Sequence, residues 1–166
     1  MAAGNTYVAL ATQTVASATA SVTFSSISGA YTDLVIVVRA KVGAASENNY
    51  LIFNSDTGAN YSRTTLRAQG SAASSVRASG ASQAYIDSFG DTNSAEFDSN
   101  QIAQIMNYSN ATTYKTVLSR ANRAGNGLDA IVNLWRSTAA ITTISVNSTG
   151  TYQIGSTFSL YGIAAA

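Results

Sequence analysis

The sequence contains no cysteine, no histidine and no proline, and each absence removes a class of structure or chemistry. Without cysteine there is neither a disulfide framework nor a thiolate metal site. Without histidine the chain lacks the commonest general base and the commonest ligand of transition metals. Without proline, the turns must be built from Gly, Asn, Asp and Ser.

Charge is also scarce, since charged residues make up 10% of the 166 residues against about 25% in ordinary soluble proteins. The net charge is +1 and the arginines are scattered, which predicts that the chain does not bind nucleic acid. The sequence has no basic N-terminal segment and no apolar stretch of about 18 residues. We therefore expect neither a signal peptide nor a membrane span.

What is present is an apolar fraction of 46%, which is enough for a packed core. The clearest pattern lies between Tyr31 and Val42, where apolar residues occupy every second position. These residues would all point to one face of a β-strand: Leu34, Ile36, Val38, Ala40 and Val42. The other face has Val35 and Val37 in its middle and polar residues at both ends. The pattern predicts a long central strand.

Shorter stretches of the same kind predict the other strands. They are residues 6–11, 21–27, 50–53, 61–69, 85–89, 96–108, 113–123, 128–136, 141–146 and 157–163. Gly125-Asn126-Gly127 predicts a tight hairpin turn, and Gly150 and Gly155 bracket a second hairpin turn before the last strand. The Ser-, Ala- and Gly-rich segment from Gly70 to Gly80 predicts a mobile loop.

No segment of about twelve residues shows the 3.6-residue apolar period of a helix. Roughly ten short strands joined by Gly and Asn turns predict an all-β fold, an antiparallel β-sandwich. A jelly roll is the expected version, because a sandwich of this length usually has two four-stranded sheets. We expect one domain over residues 1–166.

Two groups of residues suggest a site, and each has a simpler interpretation. Asn54, Asp56, Gly58 and Asn60 alternate as in a calcium loop, but Thr65 stands where the bidentate Glu belongs. A turn stabilised by Asx side chains is the favoured interpretation, and no metal site is predicted.

The second group is the carboxylate cluster of Asp87, Asp91, Glu96 and Asp98. Two such groups could serve glycoside hydrolysis if they met across a cleft. They flank a polar loop, however, where acidic residues are usually just solvated. No base, nucleophile or oxyanion donor can be named beside them, so the sequence predicts neither an enzyme nor a cofactor.

The aromatic side chains offer a further alternative. The tyrosines and Trp135 could form a face that stacks on a sugar or on a partner. Trp135 alternates with Val132 and Leu134, which predicts a place under a loop or on the outer sheet face. An ordinary half-buried aromatic of the sandwich is the favoured interpretation.

Several stretches, in the same order, resemble a family of small β-rich proteins of tailed bacteriophages, many of which infect cyanobacteria and other aquatic bacteria. The matching stretches cover nearly the whole chain. They are residues 22–27, 31–34, 53–62, 107–108, 134–144 and 155–163. Relatives often have Pro where this chain has Ser28, a difference confined to one turn.

The resemblance implies a virion structural protein with no catalytic residues. The leading hypothesis is a capsid decoration (cement) protein on the capsid exterior. Its expected partners are the major capsid protein and further copies of itself, most simply as a homotrimer. The alternative is a head domain of a tail fibre that recognises a host glycan. The low charge and the absence of proline favour covered sheet edges, and hence an assembly of several copies.

Overall fold

The computed structural model describes residues 6–44, 47–88, 95–96 and 99–164. Within these ranges the chain forms β-strands and no helix, so it contains no helix that could cross a membrane. In chain order the strands are β1 (Tyr7–Thr14), β2 (Thr19–Phe24), β3 (Asp33–Arg39), β4 (Asn49–Phe53), β5 (Tyr61–Gln69), β6 (Ala72–Ala81), β7 (Ala84–Asp87), β8 (Ser99–Met106), β9 (Lys115–Arg123), β10 (Gly127–Trp135), β11 (Ile144–Tyr152) and β12 (Thr157–Ile163).

The strands form two antiparallel sheets that pack as a sandwich. The larger sheet has eight strands in the order β1-β12-β3-β8-β9-β10-β5-β6, and the smaller has four in the order β2-β11-β4-β7. The chain passes from one sheet to the other at every connection except β5–β6, β8–β9 and β9–β10. The predicted antiparallel sandwich is confirmed.

The predicted central strand is confirmed as β3, which lies between β12 and β8 in the larger sheet. Leu34, Ile36 and Val38 point between the sheets and are at most 1% exposed. The inward residues of the smaller sheet meet them from the other side, since Val22, Phe24, Leu51, Phe53, Ile144 and Val146 are all buried. The inward-facing residues of the two sheets thus form one core.

Of the two predicted hairpins, one is confirmed and one is wrong. Strands β9 and β10 pair around Gly125-Asn126-Gly127, where the amide of Asn126 donates to the carbonyl of Arg123 at 2.8 Å. Strands β11 and β12 do not pair, because they lie in different sheets. Gly150 lies within β11 itself, and Gly155 belongs to the connection that crosses the sandwich to β12.

The expected mobile loop between Gly70 and Gly80 is also wrong, because it forms most of β6. This strand pairs with β5 in continuous register from Gln69↔Ala72 to Ser62↔Ser79. Every residue from Ala72 to Arg77 is exposed, so no second layer covers this strand. When both faces of a strand are exposed to solvent, neither face needs apolar side chains. The sequence of β6 therefore lacks the alternation by which a strand is recognised.

Candidate functional site

The outer face of the larger sheet, the side that points away from the smaller sheet, carries two rows of mostly apolar side chains. Each row crosses six strands in register. The first consists of Tyr161, Val35, Gln104, Leu118, Val132 and Thr64, and the second of Ser159, Val37, Ile102, Arg120, Ala130 and Leu66. We call these the outer rows.

The outer rows are most open to solvent on β9, β10 and β5, whereas Val35 on β3 is only 7% exposed. Leu118 is 42% exposed, Val132 46% and Leu66 56%. Arg120 is the one charged residue in the two rows. Scattered exposed apolar residues are normal on a protein surface, but a contiguous set marks a surface that binds something. The outer rows therefore form the candidate functional site.

A groove of about 620 Å³ lies at the β1–β12 side of this face. Its floor is aliphatic and comes from Val35, Val37, Ile102 and Leu118. Two tyrosines close one end, Tyr7 and Tyr161, whose ring centroids are 6.4 Å apart with the planes at 79°. The two rings are therefore in edge-to-face contact, and Tyr7 remains 61% exposed.

The polar groups of the groove are few. Gln104 donates through Nε2 to Oδ2 of Asp33 at 3.0 Å, which fixes the orientation of its amide. Arg120 is exposed and supplies a guanidinium group beside the apolar floor. Such a surface can hold an apolar side chain together with a carboxylate or another acceptor for the arginine. It offers no nucleophile with an adjacent base.

Of the predicted carboxylate cluster, Asp91 and Asp98 lie outside the described residues. Glu96 is exposed, whereas Asp87 is fully buried at the end of β7. Asp129 on β10, which no sequence pattern singled out, lies close enough to Asp87 for the two carboxyl groups to interact. The one sequence feature that could have indicated the role of Asp129 is its position between two apolar residues, Leu128 and Ala130.

The acid pair Asp87–Asp129 is sealed inside the sandwich. Asp129 is 1% exposed, and its Oδ2 accepts from the amide of Ser88 at 3.1 Å. Burial raises the pKa of Asp129, against the opposing effects of the Ser88 amide, Asp87, Arg67 and Arg63. Because no substrate can reach carboxyl groups buried this deeply, the pair serves the fold, and a raised pKa makes it easier to remove one of the two buried charges by protonation.

The predicted turn at residues 54–60 is confirmed. Oδ1 of Asp56 accepts from the amide of Gly58 at 2.9 Å, and Nδ2 of Asn60 also donates to this carboxylate. Oδ1 of Asn54 instead accepts from the amides of Thr142 and Thr143, at 2.9 and 3.1 Å. The oxygens that a calcium ion would need are thus bound to different parts of the chain.

Trp135 lies in the core, not under a loop or on the outer face as expected. It is 2% exposed and packs against Phe53 and Tyr61, with ring centroids 5.5 and 6.3 Å away. The expectation was wrong because both faces of β10 carry apolar residues: Ile131 points inward with Trp135, while Val132 points outward and is exposed. Trp135 is therefore unavailable to a sugar or a partner.

Lys115 is a second buried charged group that the sequence pattern missed. Its side chain is fully buried, and Nζ donates to the carbonyls of Thr113 at 2.7 Å and Thr138 at 3.2 Å. Burial lowers the pKa of this amine. These two hydrogen bonds connect the segment that precedes β9 to the segment that follows β10. The described surroundings of the lysine do not resemble a reaction centre.

Comparison of the chain with protein-family models, with curated proteins and with solved structures found no match. Within the described part of the chain, no group of three or more acidic side chains could hold a metal ion. The outer rows with their groove are thus the strongest candidate for a functional site.

Proposed function

We propose that the chain is a virion structural protein of a tailed bacteriophage, a capsid decoration protein bound to the outside of the head. The observation that carries this proposal is the open apolar face formed by the outer rows. Its chemistry suits attachment to another protein. The phage assignment itself rests on the resemblance of nearly the whole chain to small β-rich phage proteins.

The strand order supports a jelly roll, the fold expected from the sequence. The eight strands β1-β12-β3-β8 and β2-β11-β4-β7 form two facing four-stranded sets. We infer that these two sets are the jelly roll, because they have the strand order of two nested Greek keys. On this view, β5–β6 and β9–β10 are insertions that widen one sheet.

The dimensions of the outer rows also fit a protein partner. Six strands spaced about 4.8 Å apart make each row about 24 Å wide. The two rows are about 7 Å apart, so they can form the central strip of a contact that buries about 800 Å² on each partner, a patch roughly 28 Å across. We therefore propose that the outer rows rest on the major capsid protein, with an acceptor group of that protein opposite Arg120. Copies of the chain would sit in threes around the threefold positions of the lattice.

The proposal is tested on capsids that have been stripped of this protein. Leu118→Asp and Val132→Asp place a carboxylate on the outer rows, at positions where the side chain is 42% and 46% exposed. Ile154→Asp is the matched control, since Ile154 is 66% exposed in the connection between β11 and β12. We expect the first two variants to lose capsid binding and the control to retain it.

Two results would contradict the proposal. The first is undiminished capsid binding by both outer-row variants. The second is a reconstruction of the intact virion in which density for this chain lies at the tail tip and none lies on the head. The three substitutions lie on exposed positions, so circular dichroism and melting curves should show the wild-type fold and keep the comparison valid.

The second candidate function is recognition of a host glycan by a tail-fibre head domain. The observation in its favour is the groove, where Tyr7 and Tyr161 supply aromatic rings and Gln104 and Arg120 supply polar groups. Binding of the isolated protein to an array of bacterial surface glycans, abolished by Tyr7→Ala, would support this function. The aliphatic floor of the groove favours a protein partner over a sugar.

A further inference from the structure

Strand β6 forms one edge of the eight-stranded sheet, and its free edge is unusually unprotected. An edge strand presents a row of unpaired backbone N–H and C=O groups, which proteins usually guard with lysine, proline, bulges or short length. From Ala72 to Ser79 the pairing of β6 with β5 is regular, without a bulge. Arg77 is its one charged residue, and the chain has no proline.

The other three sheet edges are better guarded. Strand β1 has an irregularity in its ladder between Ala9 and Ala11, which interrupts the row of backbone groups. Strands β2 and β7 have six and four residues, too few to template a long ladder. Strand β6 has ten residues, with Ala72 to Arg77 exposed on both faces of the sheet. It is therefore the edge best suited to accept another strand.

We propose that β6 pairs antiparallel with β6 of a second copy of this chain, joining two eight-stranded sheets into one. The side chains of β6 favour this occupant. Apart from Val76 and Arg77, the strand consists of Ala, Ser and Gly, so a second backbone can approach from the edge without obstruction. The strand carries no acidic residue that would be opposed by its own copy. The pairing can be tested on the isolated protein, whereas its role on a capsid rests on the proposed function.

Symmetry and charge select the register. In a two-fold antiparallel pair one residue lies opposite its own copy. The regular segment Ala72 to Ser79 overlaps most when this residue is Ser75 or Val76. With Ser75 at the centre, the two Arg77 side chains are four strand positions, about 13 Å, apart. With Val76 at the centre they are only about 7 Å apart and repel each other more strongly. The register centred on Ser75 is therefore the one we propose.

The pair is weak on its own and becomes effective on a lattice. It forms on the order of seven backbone hydrogen bonds, each of modest net value in water. The loss of rotational and translational freedom on association offsets much of this gain. On a capsid, where other contacts already hold neighbouring copies close together, the second contact becomes effectively intramolecular. A two-fold contact of this kind would link neighbouring trimers; it would not build one.

The absence of cysteine makes disulfide trapping a clean test. Directly opposed positions of an antiparallel pair have the Cα separation that a disulfide requires. We expect purified Ser75→Cys protein to form disulfide dimers under mild oxidation at high concentration. In the same register Ala73 faces Arg77 of the other copy. Ala73→Cys and Arg77→Cys should therefore stay monomeric alone and form a mixed dimer when combined.

Thr12→Cys is the matched control, because Thr12 is an exposed residue of β1 at the opposite edge of the same sheet. The inference is overturned if Ser75→Cys and the Ala73→Cys/Arg77→Cys mixture form disulfides no faster than this control. It is also overturned if Ser75→Cys links faster to Thr12→Cys than to itself, since β6 would then pair with β1 of the neighbour. Unchanged melting temperatures of the reduced variants exclude misfolding as the cause.

Discussion

The indole Nε1 of Trp135 donates a hydrogen bond of 2.7 Å to Oδ2 of Asp56. This bond connects the last residue of β10 to the turn that follows β4. The hydroxyl of Tyr61 reinforces the connection, because it donates to the carbonyl of Asp56 at 3.0 Å and accepts from the amide of Phe53 at 3.1 Å. Burial raises the pKa of this hydroxyl to about 12, so it remains protonated and able to donate.

The first prediction concerns this connection. Trp135→Phe retains an aromatic ring but removes the hydrogen bond to the carboxylate, and it leaves a small cavity beside Phe53. We expect the free energy of unfolding to fall by at least about 2 kcal/mol. Urea unfolding of Trp135→Phe, Asp56→Ala and the double variant measures the coupling. If the two single effects simply added, the hydrogen bond would contribute nothing to stability.

The second prediction uses the opposite pKa shifts of two aspartates. The raised pKa of Asp129 contributes stability that is complete below the unfolded pKa and is lost as the pH rises through the folded value. Each unit of this shift corresponds to about 1.4 kcal/mol. We therefore expect Asp129→Asn to gain less stability than the wild type when the pH falls from about 7 to about 4. Urea titrations at several pH values check this, and an identical pH profile would contradict it.

Asp56 provides the comparison, because its pKa is shifted in the direction opposite to that of Asp129. Burial acts to raise the pKa of its carboxyl group, but hydrogen bonds from Trp135, Gly58 and Asn60 outweigh it and the pKa is lowered. The stability contributed by Asp56 is therefore present above the unfolded pKa and is lost as the pH falls through the folded pKa. We expect Asp56→Asn to be less sensitive to acid than the wild type, measured in the same titrations. Greater acid sensitivity of this variant would be evidence against the lowered pKa.

The third prediction concerns the inward face of β3. Val38 is 1% exposed, and Val38→Asp would place a carboxylate in the apolar core. We expect a loss of more than about 4 kcal/mol, a size that isolated substitutions rarely reach. Val37→Asp is the control one residue away, since Val37 lies half-buried on the outer face. Equal melting temperatures for Val38→Asp and Val37→Asp would mean that the faces had been assigned wrongly.

The fourth prediction concerns a close approach between Gly162 and Tyr31. A Cβ atom at Gly162 would lie 2.4 Å from the Tyr31 ring, so the ring covers this glycine on β12. Gly162→Ala must displace the ring, and we expect a loss of about 1–3 kcal/mol. Gly125→Ala is the control, because no atom lies within 4 Å of a Cβ at that position. A smaller effect at Gly162 than at Gly125, by thermal unfolding, would refute the argument.

How well the sequence predicted a strand depends on how many faces of that strand are covered by other parts of the protein. Strand β3 was predicted because one face is buried without interruption and its alternation is unambiguous. The face of Trp135 could not be predicted, since Ile131 and Val132 are equally apolar although only Ile131 is buried. Strand β6 was missed because neither of its faces is covered. It pairs with β5, which precedes it in the chain and is joined to it by the two-residue turn at residues 70–71.

The candidate site was harder to predict than the fold. The outer rows combine residues from six strands, and their neighbours are set by strand order, which no local pattern reveals. Val35 and Val37 were recognised as apolar on the second face of β3, but nothing in the sequence indicated that Leu118 would lie beside them. Asp129 was missed for a similar reason, since its partner Asp87 is distant in sequence and close only through the packing of β7 on β10.

The exposed hairpin β5–β6 also determines which backbone hydrogen bonds of the protein break first. Because no second layer covers β6, its amides can exchange with solvent through a local opening that leaves the sandwich intact. Amides of β3, between β12 and β8, exchange only when the whole domain unfolds. Among the strands, deuterium uptake in the isolated protein should therefore be fastest in β6. Any neighbour that pairs with this strand would convert the most weakly protected ladder of the sheet into an interior one.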